Sequence, residues 1–196
     1  MPVAQANGIE IGYEASGHED GTPLLLIHGL GAQLVRWPPE FCALLEQRGY
    51  HVIRIENRDT GLSTHFHDAP MPDLARVAPG STDIPYTLSD MAADAVGLLD
   101  ALGIDSAHVL GVSLGGMITQ TMVIEHPSRV LSATVMMSQN GNPAMPGTSP
   151  EAMAVLTTPA PDPFTDREAF LDHQVRLNQA LGSPDYPTPL EELREL

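Results

Sequence analysis

Gly111-Val112-Ser113-Leu114-Gly115 follows a β-favouring apolar run, Val109 to Val112, and leads into a helical pattern from Met117 to Glu125. A serine at such a strand-to-helix turn is held in a strained backbone conformation with its hydroxyl exposed at the strand end. Gly111 and Gly115 are needed because so tight a turn leaves no room for a Cβ, and Gly116 adds space behind. The pentapeptide alone is common in loops. With strand, helix and spacing all in place it predicts a nucleophilic Ser113.

The rest of the chain supplies a matching scaffold. Ile9, Ile11 and Tyr13 alternate as in a half-exposed edge strand, and Leu24 to Ile27 is a continuous apolar run suited to a strand buried on both faces. Pro38 and Pro39 open a helix carrying Phe41, Leu44 and Leu45, which Gly49 closes, and His51 to Ile55 is the next strand. After a Pro-rich stretch from His67 to Tyr86, Thr87 and Asp90 form a capping-box pattern. It opens a helix marked by Met91, Ala95, Leu98 and Leu99 and stopped by Gly103. Pro127 ends the helix behind Ser113, and Val130 to Met136 reads as one more strand. This alternation predicts an α/β fold with a mostly parallel sheet and helices on both faces.

Beyond Ser138 the texture changes. Gln139 to Pro150 is a Gly, Pro and Asn-rich connector, and no β-branched run follows Met137. Thr165 with Glu168, and Thr188 with Glu191 behind Pro189, predict two helix starts. The division expected is 1–138 as sheet core and 139–196 as inserted helical material.

Composition bounds the partners. The chain has 196 residues, 25 Asp plus Glu against 9 Arg, no Lys and a formal charge of −16. So little positive charge cannot neutralise a phosphate backbone or an anionic membrane, so neither is expected as a partner. The single Cys42 rules out an internal disulfide framework and reads as a small core residue. No signal-peptide pattern or membrane-length apolar run is visible, which makes a cytoplasmic protein the expectation.

A serine nucleophile needs hydrogen-bond donors for the oxyanion that develops on the carbonyl oxygen. One expected donor is the backbone N–H of Leu114, immediately after the nucleophile. The second is the N–H of Leu30, within His28-Gly29-Leu30-Gly31 directly after the strand ending at Ile27. His28 and Gly29 support that loop, with the His28 backbone expected to matter more than its ring.

Together these residues resemble a known family. The matching stretches are Leu24 to Gly29, Trp37-Pro38, Val52 to Arg54, Asn57 to Ser63, Met91 to Ala95, Ala107 to Ser113 and Glu125 to Pro127. The chain resembles α/β-hydrolases of the esterase type, and within them the aclacinomycin methylesterase group. The resemblance implies a Ser-His-acid hydrolase with a helical cap inserted after the strand ending near Met137. It also places oxyanion donors at Leu30 and Leu114.

The order of such a triad is Ser, then Asp or Glu, then His. The family carries acid and base on loops after two further strands, which this sequence lacks. Asp162 or Asp166 followed by His173 has the right order, but His173 falls mid-helix and no strand end positions either group. His65, His67 and Asp68 contain metal-ligand residue types, but tight alternation in a polar loop reads as solvent-facing, so no metal or other cofactor is expected. The sequence therefore predicts the N-terminal portion of a longer serine hydrolase cleaving a small-molecule carboxylic ester. Its expected state alone is unstable and nearly inactive. Two alternatives are an inactive, partner-binding remnant and a C–C hydrolase, peptidase or perhydrolase of the same fold. Oligomeric state is not legible.

Overall fold

The computed structural model describes residues 1–69, 84–142 and 144–195. The chain divides into two compact units, Met1–Gly141 and Asn142–Leu196.

The first unit is built on a six-stranded sheet. Its strands are β1 (Val3–Ala6), β2 (Ile9–Ser16), β3 (Thr22–Ile27), β4 (Tyr50–Ile55), β5 (Ala107–Val112) and β6 (Val130–Met136). They lie in the order β1-β2-β4-β3-β5-β6. β3, β4, β5 and β6 run parallel, while β1 and β2 form an antiparallel margin. β2 is therefore not an edge strand as its alternation suggests. The four residues of β1 take the edge, and Ile11, paired with Ala4, is fully buried.

Alternation within β3 sorts the core between the two faces. Leu24 and Leu26 pack with Val52, Val112, Trp37 and Cys42, the last from α1 (Pro39–Gln47). Leu25 and Ile27 pack on the other face with Ile53, Leu98 and Leu99 of α2 (Leu88–Ala101) and Ile118 and Met122 of α3 (Leu114–Glu125). Each fully buried Leu or Ile contributes about 1.5–3 kcal/mol relative to exposure. Thr87 caps α2 in a complete capping box with Asp90. Gly103, at φ +70°, turns the chain out of that helix.

α3 begins three residues earlier than the periodicity indicates, directly after Ser113. Gly115 and Gly116 are poor helix formers, yet both are buried in its first turn because only glycine fits there. A Cβ on Gly115 would lie 2.1 Å from the Ile27 carbonyl oxygen, and one on Gly116 2.6 Å from Ser138 Cβ. β6 closes the other margin, with Leu131, Val135 and Met136 exposed.

The second unit is helical: α4 (Pro150–Thr157), α5 (Arg167–Leu181) and α6 (Leu190–Glu195). α4 is absent from the sequence reading, although Ser149 accepts from the Ala152 N–H and Pro150 opens the first turn. The cap of α5 is Asp166, accepting from the Ala169 N–H at 3.0 Å, and not Thr165. The Thr165 hydroxyl instead donates to the Asp162 carbonyl. Arg194 and Asp172 pair at 2.8 Å. Among the described residues no helix is long and apolar enough to cross a membrane. Most of the Pro-rich stretch, residues 70–83, lies outside the described residues.

Candidate active site

Strand register gathers the site. Ile27 pairs with Gly111 on one side and with Ile55 on the other, so all three parallel strands end together. The residues two positions beyond, Gly29, Ser113 and Asn57, therefore emerge side by side at the carboxyl ends of the strands. Crevices in open α/β sheets form at such ends.

Ser113 occupies φ +55°, ψ −118°, a region that costs a non-glycine residue roughly 1–3 kcal/mol. Its N–H donates to the Met136 carbonyl at 2.9 Å. Its carbonyl accepts from the Ser138 hydroxyl at 2.8 Å, and also from the Gly116 and Met117 N–H groups. Every main-chain polar group of the residue is thus held, by β6 on one side and α3 on the other. Gly111 faces the turn from below, where a Cβ would lie 2.1 Å from the Gly115 carbonyl oxygen. Thr119 donates to that same carbonyl at 2.8 Å.

The loop after β3 lies against the serine. A Cβ on Gly29 would come within 3.1 Å of Ser113 Cβ. The Gly29 N–H donates to His28 Nδ1 at 2.7 Å, which leaves the ring proton on Nε2. Burial, helped by the charge of Arg36, holds the His28 pKa below its ordinary value. The ring packs edge-on against Trp37 at 5.1 Å, and the His28 carbonyl accepts from Asn57 Nδ2 at 3.1 Å. The Leu30 side chain is 85% exposed. Among the described residues neither the Leu30 nor the Leu114 N–H has a backbone partner.

Residues 56–63 form a braced third wall that sequence reasoning did not resolve. The buried Glu56 carboxylate accepts from the Leu62 N–H at 2.6 Å and fills the space where a Gly61 Cβ would sit. Arg58 donates from Nε and Nη2 to the two oxygens of Asp94, each at 2.7 Å, and both side chains are buried. Asn7 adds a hydrogen bond to Asp94 at 2.9 Å. The Arg58 guanidinium lies 5.0 Å from the Tyr86 ring centroid and 5.4 Å from that of Phe66. The Tyr86 hydroxyl is pushed up to about 12 by burial and by its hydrogen bond to Asp59, so it stays protonated at neutral pH.

A cavity of about 680 Å³ opens beside these elements. Leu30 and Leu114 both line it, together with Arg58, Tyr86, Ile124 and Glu125. The walls are chiefly apolar. His65 and His67 stack ring on ring at 5.2 Å, and His65 Nε2 lies 3.1 Å from the Gly61 carbonyl. His173 is buried on α5, in the second unit. Among the described residues no histidine ring is hydrogen-bonded to Ser113.

Comparison with known proteins agrees with this architecture. Rhodomycin D methylesterase DnrP of Streptomyces peucetius is 30% identical over 212 aligned positions, covering 99% of this chain and 67% of that protein. Rhodomycin D methylesterase DauP of a Streptomyces species is 37% identical over 124 positions, covering 63% of this chain and 37% of that protein. The chain thus spans between about one third and two thirds of the length of these relatives. The enol-lactonase of Burkholderia xenovorans shares the fold with a TM-score of 0.63 at 24% identity, over 99% of this chain and 66% of that one. Residues 22–193 match the family described as alpha/beta hydrolase fold, and with the sheet order and the turn at Ser113 the chain belongs to that family.

Proposed function

We propose that the chain carries the nucleophile and oxyanion site of a serine hydrolase acting on a small-molecule carboxylic ester. Ser113 Oγ attacks the ester carbonyl, and the Leu30 and Leu114 N–H groups stabilise the oxyanion of the tetrahedral intermediate. Collapse expels the alcohol and leaves an acyl-enzyme on Ser113, which water then hydrolyses. His28, Gly29, Gly111 and Gly115 support the geometry without taking part in the chemistry. The reading assigns the proton-transferring histidine and its carboxylate to no residue of 1–196.

The observation that carries this reading is the strained turn at Ser113 with Gly29 against it. A backbone conformation costing this much persists only where its surroundings over-determine it, and such places are commonly functional. Similarity to two proteins named as methylesterases supports an ester as substrate. The alternative, a non-catalytic partner-binding fold, is separated by an alkyl fluorophosphonate, which forms a covalent adduct with an activated serine. Peptide mapping is expected to find the adduct on Ser113 and none after Ser113→Ala. Ester turnover by a Ser113→Ala protein at the wild-type rate overturns the reading.

A further inference from the structure

The Asn57 to Ser63 loop holds a group that the proposed chemistry does not use. Arg58 is 6% exposed, and its Nε and Nη2 face Asp94 as a side-on fork. The planar guanidinium then directs Nη1 away from Asp94. Nη1 carries two N–H donors and makes no hydrogen bond among the described residues, and it is not one of the buried atoms that lack a partner there. Arg58 lines the cavity that Leu30 and Leu114 also line. A buried side chain with donors to spare at a cavity wall calls for an acceptor from the ligand.

The charges nearby say what kind of acceptor. Both Asp94 oxygens already match the guanidinium charge. Asp59 and Glu125 line the same cavity, and neither pairs with a cationic side chain among the described residues. Glu125 accepts from the Ser89 hydroxyl, and Asp59 from the Phe66 N–H and the Tyr86 hydroxyl. An anionic ligand would therefore meet two carboxylates for one guanidinium already neutralised. A compact ammonium would leave the Nη1 donors unmet. The apolar surface of Ile84, Leu88, Met91 and Ile124 supplies the rest of the lining.

We propose that this cavity binds a neutral, largely apolar group bearing one carbonyl-type oxygen, and that Arg58 selects it by donating from Nη1 to that oxygen. Asp94 acts as the positioning residue that aims the guanidinium. The inference rests on the ester-hydrolase reading only in taking the cavity as the seat of one side of the ester.

Binding of four naphthalene probes tests it without any turnover: acetylnaphthalene, ethylnaphthalene, naphthoate and naphthylmethylammonium, titrated by ligand-observed NMR. One hydrogen bond to a charged donor predicts that the ketone binds about tenfold tighter than the ethyl analogue. The carboxylate and the ammonium are expected to bind more weakly than the ketone. Arg58→Lys keeps a cation for Asp94 but offers no third nitrogen, so it should erase the ketone advantage while ethylnaphthalene still binds. Because that variant bears on a buried pair, the guanidino resonances of Arg58 in the wild-type protein give a second measure. They should shift with the ketone and not with the ethyl analogue. Equal binding of ketone and ethyl probes, or tightest binding of either charged probe, overturns the proposal. Fluorophosphonate labelling of Ser113 in the presence of imidazole is read separately, so ketone selectivity without such labelling would sink the hydrolase reading alone, and the converse would sink only this one.

Discussion

Gly29 faces Ser113 so closely that a Cβ on it would lie 3.1 Å from Ser113 Cβ and 3.5 Å from Oγ. That approach follows from the register pairing Ile27 with Gly111. A methyl at Gly29 needs an adjustment of only a few tenths of an ångström against Ser113 Cβ, shared by the Gly29 loop and the Ser113 turn, so the fold should survive Gly29→Ala. Reactivity should not, since a misplacement of one ångström costs about a hundredfold and a smaller one about tenfold. The check is the rate of Ser113 phosphonylation beside a melting curve. The expected result is a slower reaction at a nearly unchanged melting temperature.

Gly115 is a different case, because its neighbour is main chain. Gly115→Ala would place a Cβ 2.1 Å from the Ile27 carbonyl oxygen and force α3 away from β3. The expected loss is about 3 kcal/mol or more, the upper end of overpacking penalties. Gly31→Ala is the contrast: nothing lies within 4 Å, and only its φ of +66° is unfavourable for a side chain. About 1–2 kcal/mol is expected there. Urea unfolding of the two variants separates steric from conformational cost.

The Ser113 turn was legible because strand, glycines and helix all lie in one continuous stretch, Val109 to Glu125. What braces it was not. Arg58 and Asp94 are 36 residues apart, and nothing local marks either as buried. Glu56 begins a stretch, Glu-Asn-Arg-Asp, that reads as a solvated loop, yet it is buried because the Leu62 N–H and the space beside Gly61 turn inward upon it. β1 escaped notice because only Ala6 among its four residues is buried, too little for a period to show. The α5 cap shifted from Thr165 to Asp166 because both offer oxygens of the right kind and only chain direction decides between them.

The Arg58–Asp94 pair gives a stability prediction of its own. Asp94→Ala leaves a buried guanidinium without its partner, and removing one member of a buried pair costs about 3–5 kcal/mol. Asn7 would lose its Asp94 hydrogen bond as well. The double variant Arg58→Met with Asp94→Leu should recover much of that loss, because no charge is left unpaired. A urea midpoint for the double variant no higher than that for Asp94→Ala would contradict this view of the pair.

Acid should reveal the capping box of α2. The hydroxyl and then the N–H of Thr87 hydrogen-bond the Asp90 carboxylate and hold its pKa below the ordinary carboxylate range. With the folded value depressed, the stabilisation is present above the unfolded value and is lost as pH falls through the folded one. Thr87→Ala should therefore cost about 1 kcal/mol near neutrality. The difference from wild type should shrink steadily as the solution is acidified. Melting temperatures of both proteins across the acid range supply the check.

If Ser113 and the Leu30 and Leu114 N–H groups form a working oxyanion site whose base is none of the histidines in 1–196, the reactivity of Ser113 depends on a base from outside these residues. The most direct measurement is the rate of fluorophosphonate adduct formation at Ser113, followed by mass spectrometry of the 196-residue protein with and without added imidazole. A small external base can take the role of a histidine ring. The expected result is slow labelling confined to Ser113 that rises with imidazole concentration and is abolished by Ser113→Ala. Fast stoichiometric labelling that ignores imidazole and is lost in His173→Ala would contradict the claim about the base. Labelling unchanged by Ser113→Ala would contradict the site itself.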